Sequence, residues 1–184
     1  MSIVASVVRL LCIYATVVLL GFAIYVASFH LPLGATILFY RGLLLAALTG
    51  CLTLAGLFLM SRWMRLDLAT ALGATFTSVA FNICFLVLFP VTIDRSISVF
   101  LLSRIAAQDG MTTDQLTARF ADEYLYRMKQ IPRRVDEQTK SGNIAVTPDG
   151  RITLTPQGRR FVHLAQSASG WFGTDPRFTH PTTR

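Results

Sequence analysis

Charged side chains are missing from three long stretches in the first half of this 184-residue sequence. Residues 10–29, 42–60 and 68–89 contain no Asp, Glu, Lys or Arg. A helix rises about 1.5 Å per residue, so each stretch is long enough to cross a hydrocarbon core of about 30 Å. The sequence therefore excludes a single soluble globule. It predicts an α-helical membrane protein whose residues 1–91 form a module of three transmembrane helices.

Cysteine is absent outside the three apolar stretches. Cys12, Cys51 and Cys84 all lie within the apolar stretches, where cysteine acts as a small packing residue. This distribution provides neither a disulfide framework nor a cysteine metal site.

Signals of catalysis are also missing. His30, His163 and His180 are scattered along the chain, so they suggest no zinc site. The sequence contains no glycine-rich phosphate loop and no nucleophile elbow, and the apolar stretches hold no paired carboxylates. We therefore predict no catalytic residue, no cofactor and no metal, although a site shared with another subunit stays open.

Small residues recur along the third apolar stretch. Ala69, Gly73 and Thr77 are spaced by four, which lets another helix approach closely, either within this chain or from a partner. Asn82 is expected to seek a hydrogen bond with another helix, in internal packing or at a partner interface. Arg41 is the one basic residue near membrane depth, and it either extends to the headgroups or contacts a buried partner.

Amphipathic and capping patterns follow Pro90. Apolar residues from Ile97 to Ile105 predict a helix that Ser96 caps. Asp94 favours the helix start by its charge, and Asp94 and Arg95 also lie where headgroups or a partner would contact them.

Two further helices and a hairpin are predicted next. Thr112-x-x-Gln115 is a capping box for the second helix, and the third begins near Pro132 and ends at residues 141–143. Residues 144–146 and 152–154 flank a Pro-Asp-Gly turn, which indicates two short strands.

This order resembles the winged helix-turn-helix proteins of the MarR and PadR groups. The similarity lies in residues 131–138, 141–144 and 149–159, and its most specific part is Leu-Thr-Pro-x-Gly after the hairpin. The resemblance implies a small α+β winged-helix domain over residues 92–166. In such families the third helix enters the major groove and the wing contacts phosphate. The DNA-facing positions implied here are Arg133, Arg134, Lys140 and Arg151.

The end of the chain, residues 167–184, is predicted to be irregular because it combines Ser, Gly and two prolines. Trp171 and Phe172 either cover the domain's own core or contact a partner or lipid.

Basic residues near the helix ends do not decide the orientation in the membrane. One side would hold Arg9, Arg62 and Arg65, and the other Arg41, Arg95 and Arg104. Residues 95–184 carry 13 Arg or Lys against 8 Asp or Glu, and winged helices are most often cytosolic. We therefore predict a multi-pass protein of the bacterial inner membrane with a cytoplasmic C-terminal domain.

Three functions fit these patterns. The leading prediction is a noncatalytic accessory subunit that contacts the lipid bilayer and docks beside a larger integral membrane protein, such as an enzyme of envelope lipid or glycan assembly. The winged helix would then be an interaction domain. The alternative is a membrane-tethered winged-helix transcription regulator that binds DNA. The third is an enzyme whose site forms only with another subunit, with Arg41, or Asp94 and Arg95, contributing.

Overall fold

The computed structural model describes residues 3–32, 37–64 and 66–180, without the side chains of residues 62–64. The chain forms two compact units that divide between Val99 and Phe100. Unit 1 is Met1–Val99 and unit 2 is Phe100–Arg184. Arg65 and the side chain of Arg62, which entered the orientation argument, lie outside the described residues.

Three long apolar helices build unit 1. They are α1 (Ile3–Ser28), α2 (Leu38–Met64) and α3 (Leu68–Leu86). Each is long and apolar enough to cross a membrane, as predicted. Asp67 caps α3, because its carboxylate accepts hydrogen bonds from the Thr70 hydroxyl (2.5 Å) and amide (3.1 Å). These bonds lower the pKa of Asp67.

The third membrane helix does not end at Pro90. A π-helical turn (Val87–Val91) follows α3, and α4 (Thr92–Arg95) continues it, so the apolar span extends over Leu68–Arg95. Proline has no N–H to donate, so one hydrogen bond of the helix is missing at Pro90. The wider π-helical turn accommodates this missing bond. The Thr92 hydroxyl donates to the Val87 carbonyl (2.7 Å), which satisfies this acceptor locally.

The core of unit 1 lies along α3, which packs against both α1 and α2. One buried cluster comprises Val17, Leu57, Ala71 and Ala74, and the other comprises Tyr25, Leu45 and Ala46. Close packing rests on glycine. A methyl group at Gly21 would overlap the Ser78 hydroxyl, and one at Gly42 would overlap the side chain of Leu86.

Unit 2 is mostly helical with one small sheet. Its elements, of which the first begins in unit 1, are α5 (Ile97–Ala107), α6 (Thr113–Arg119), a π-helical segment (Phe120–Arg127), α7 (Gln130–Lys140), β1 (Ile144–Val146), β2 (Ile152–Leu154), α8 (Pro156–Phe172) and a 3-10 turn (Pro176–Phe178). The two strands pair antiparallel, with Ala145 opposite Thr153.

Local sequence signals are confirmed in this part of the chain. The Ser96 hydroxyl accepts from the Val99 amide (3.0 Å), so Ser96 caps α5. Thr112 and Gln115 form the predicted capping box. The helix α7 begins at Gln130, so Pro132 lies within its first turn.

The hairpin contributes little to the core of unit 2. Leu154 in β2 is 44% exposed, because the described residues add no third strand or second sheet to cover it. The aromatic core instead centres on Phe100, which is 7% exposed and lies against the rings of Phe120 and Tyr124.

The segment predicted to be irregular is helical over residues 167–172. The helix α8 runs without interruption to Phe172 and ends at Gly173, whose φ of 61° is left-handed. Gly170 is tolerated within the helix, and the two prolines come only after its end. Residues 181–184 lie outside the described part of the chain.

Candidate functional site

A row of polar side chains is buried inside unit 1. Its members are Thr49, Thr75, Ser78 and Asn82. The Thr49 and Thr75 hydroxyls donate to carbonyls one turn earlier in their own helices, at 2.8 and 2.9 Å. The Ser78 hydroxyl donates to the Val17 carbonyl at 3.4 Å, which links α3 to α1.

Asn82 is the unusual member of this row. Its side chain is 0% exposed, and neither the amide nitrogen nor the oxygen has a hydrogen-bond partner among the described residues. The predicted bond to another helix is therefore not formed within the described chain. Because Asn82 is enclosed, it belongs to helix packing inside unit 1 and not to an outer surface.

The predicted row of small residues on α3 divides between two environments. Gly73 faces α1, since a methyl group at this position would overlap the Tyr14 hydroxyl. Ala69 and Thr77 are exposed, and the Thr77 hydroxyl donates to the Gly73 carbonyl at 2.8 Å. Close approach at Gly73 is thus used within the chain.

Arg41 contacts the chain directly after α1. Its guanidinium donates to the carbonyls of Phe29 (2.9 Å) and Leu31 (2.6 Å), and lies 5.9 Å from the centre of the Phe29 ring. Both residues follow Ser28, the last residue of α1, so these charge-assisted bonds hold the chain where it leaves the helix. The contacts of Arg41 therefore indicate a structural role in the first connection.

Asp94 and Arg95 lie in α4, at the end of the third membrane span. Asp94 is half-buried and Arg95 is exposed, and both make interactions. Since Ser96 performs the capping of α5, a role of these two residues in contacting headgroups or a partner stays a prediction.

The four cations implied as DNA contacts are all paired with carboxylates. Arg133 and Arg134 both approach Glu137, at 3.3 and 2.7 Å, and Glu137 is buried. On the exposed surface, Lys140 pairs with Asp136 (2.7 Å) and Arg151 with Asp149 (2.8 Å). These pairs neutralise much of the local charge that phosphate would meet, and the DNA role of the cations stays a prediction.

The Leu-Thr-Pro-x-Gly sequence joins α8 to the end of α7. The Thr155 hydroxyl accepts from the Gly158 amide (3.0 Å) and donates to the Gly142 carbonyl (2.7 Å). A methyl group at Gly158 would overlap the Asn143 carbonyl oxygen. Threonine as the cap and glycine one turn later thus let α8 start directly against the α7 turn.

Aromatic and aliphatic residues of α8 form an exposed face, of which the sequence analysis identified only Trp171 and Phe172. Trp171 and Phe172 are 77% and 81% exposed, which argues against the first of their two predicted roles, covering the domain's own core. Phe161 and Leu164 are also exposed and lie on the same side by helical spacing. The helical spacing of Phe161, Leu164 and Trp171 is present in the sequence. It was not recognised as one face because residues 167–184 were predicted to be irregular.

One concave surface of unit 1 is mostly apolar, with Arg9 as the charged residue in its lining. A cleft of about 420 Å³ lies between α1 and α2. Its lining includes Cys12, Thr16 and Leu20 from α1 and Leu57 and Met60 from α2. Within the described ranges, no three His, Cys, Asp or Glu side chains come together as a metal site would require.

Comparison with known proteins gives no family model, curated protein or solved structure that matches this chain.

Proposed function

We propose that this chain is a noncatalytic accessory subunit of a membrane complex. Unit 1 docks beside a larger integral membrane protein, and unit 2 is a small winged-helix domain that presents an interaction surface. The order of three helices, a hairpin and a final helix supports the winged-helix assignment. The partner's class, such as an enzyme of envelope lipid or glycan assembly, belongs to the same proposal.

The observation that carries the docking proposal is an unoccupied close-approach position on α2. At four glycines in the described helices of unit 1, an added methyl group would lie within 4 Å of a side chain from another helix. These glycines are Gly21, Gly42, Gly50 and Gly73. Gly56 faces nothing within that distance. Glycine in a membrane helix favours close approach of another helix, so Gly56 is suited to one from a partner.

The surroundings of Gly56 fit the same purpose. Leu52, Ala55 and Leu59 are exposed and, with Gly56, form what we term the Gly56 face of α2. A glycine beside a small alanine and between two leucines offers a shallow groove for a helix, without polar groups to desolvate.

A membrane-tethered DNA-binding regulator is the second candidate, favoured by the same element order. A test has to avoid Arg133 and Arg134, because removing both would take two guanidinium partners away from the buried Glu137 carboxylate. Lys140→Gln combined with Arg151→Gln changes two exposed pairs instead.

The accessory proposal predicts that this double variant leaves the membrane complex intact and that the full chain prefers no duplex sequence. If the chain is a DNA-binding regulator, the double variant should instead bind duplex DNA more weakly. The slope of log affinity against log salt concentration should then fall by about 0.9 for each phosphate contact removed. A preference of roughly a thousandfold or more for one duplex over random DNA would favour the regulator. Salt-dependent binding of the full chain in nanodiscs measures both quantities.

For localisation, we propose the bacterial inner membrane, with unit 2 in the cytoplasm. Ser167 is exposed, so Ser167→Cys in a background without Cys12, Cys51 and Cys84 gives an accessible thiol. In intact cells an impermeant maleimide should leave this thiol unlabelled, and it should react once the membrane is opened. Labelling of intact cells would reverse the orientation.

A further inference from the structure

The helix α8 carries an apolar face that the described chain leaves uncovered. Phe161 and Leu164 are 58% and 59% exposed, and Trp171 and Phe172 more so. Their spacing puts all four on one side of the helix. We term this set the α8 face. The helix buries Gly158 and Ser169 elsewhere on its circumference, so it is already fixed to its own unit when it displays the α8 face.

The charge of α8 is of one sign. The helix contains Arg159, Arg160 and His163 and no acidic residue. Both arginines are exposed, and neither forms a salt bridge with another described residue. Helices with Trp, Phe and Leu on one face and arginine on the rest are typical of segments that lie in the interface between lipid and water.

The membrane surface that such a helix would bind is close to unit 2 along the chain. The third membrane span ends at Arg95 and α5 begins at Ile97, so unit 2 follows the bilayer without a long linker. Tethering raises the effective concentration of the membrane around α8. Tryptophan and phenylalanine suit the headgroup region, and the arginines complement anionic lipid.

We propose that α8 binds the surface of the anionic bilayer in which unit 1 resides, with the α8 face inserted among the lipid headgroups. The binding fixes unit 2 against the membrane by a second contact, in addition to its chain connection. It does not depend on the identity or existence of a larger protein partner.

The test uses the fluorescence of Trp171 in the full chain. Trp63→Phe leaves Trp171 as the only tryptophan, and the protein is placed as single copies in nanodiscs of phosphatidylcholine with phosphatidylglycerol. We expect a blue-shifted emission, severalfold quenching by lipid carrying a doxyl group near the headgroup, and weak quenching by aqueous acrylamide. Phe161→Gln, at an exposed position, should reduce the doxyl quenching.

A matched control places the tryptophan one residue earlier, on the polar side. Trp63→Phe, Trp171→Phe and Gly170→Trp are combined, and the Cβ atom of the new residue at position 170 would meet nothing within 4 Å. This tryptophan should emit as in water, and the doxyl lipid should not quench it.

Three results would overturn the proposal. One is acrylamide quenching of Trp171 as strong as that of the control. Another is a blue shift that appears only in nanodiscs holding two copies, which would assign the α8 face to a second copy of this chain. The last is doxyl quenching that persists undiminished in pure phosphatidylcholine, which would remove anionic lipid as the ligand.

Discussion

Gly158→Ala is expected to destabilise unit 2 by about 2 to 4 kcal/mol. The added methyl group would overlap the Asn143 carbonyl oxygen and lie 2.9 Å from its carbon, both of which are backbone atoms. The start of α8 must then move away from the α7 turn. That movement breaks the bonds from the Thr155 hydroxyl to Gly142 and from the Thr155 amide to the Asn143 carbonyl (3.1 Å).

Gly170→Ala, in the same helix, is the control and should have the opposite sign. Its methyl group meets nothing within 4 Å, so only the helix propensity changes, which favours alanine by up to about 1 kcal/mol. Denaturant unfolding of the full chain in nanodiscs, with hydrogen exchange at the Arg159 amide, compares the two. Equal stability of Gly158→Ala and the unmodified chain would show that α8 does not start against Asn143.

The second large effect is expected in the membrane unit. Gly42→Leu should disrupt unit 1, at a cost of at least about 3 kcal/mol, because Leu86 is fully buried where the new side chain would lie. The Gly42 carbonyl also accepts a hydrogen bond from the buried Tyr25 hydroxyl (3.2 Å), so a shift of α2 would break a contact with α1.

Gly56→Leu makes the same chemical change in the same helix, at a position where the Cβ atom would meet nothing within 4 Å. Unfolding in mixed micelles should place this variant within about 0.5 kcal/mol of the unmodified protein. Under the accessory proposal it nonetheless fails to copurify with the larger membrane protein, because the leucine blocks close approach. Retention of the partner by Gly56→Leu would exclude the Gly56 face as the docking surface.

Local signals in the sequence predicted much of the fold. Uncharged length predicted the three membrane helices, Thr112-x-x-Gln115 predicted a capping box, and a Pro-Asp-Gly turn predicted the paired strands. Each of these signals acts over a few neighbouring residues or one helix.

Features that depend on contacts between distant residues were not predictable in this way. No sequence spacing indicates that Tyr14 lies against Gly73, or that Arg41 donates to the carbonyls of Phe29 and Leu31. Both contacts arise from how the helices pack. Both involve candidate functional residues, Gly73 and Arg41, whose roles toward a partner or the headgroups stay predictions.

The ion pairs on α7 were predictable from the sequence only in part. Glu137 follows Arg133 and Arg134 at helical spacing, so pairing was readable from the sequence. The burial of Glu137 was not readable, because it depends on the packing of α7 in unit 2. The resemblance to DNA-binding helices implied a role for the cations alone, whereas in the structure Arg133 and Arg134 share the Glu137 carboxylate.

Photocrosslinking in native membranes tests the docking proposal most directly. A photoreactive phenylalanine replaces Leu52 on the Gly56 face or, as the control, Phe76 on α3, and both side chains are exposed in the described structure. The accessory proposal predicts that position 52 gives one discrete adduct with a larger integral membrane protein, which Gly56→Leu abolishes, and that position 76 gives much less of it. Adducts with lipid alone at position 52 would contradict the proposal that this chain docks through α2.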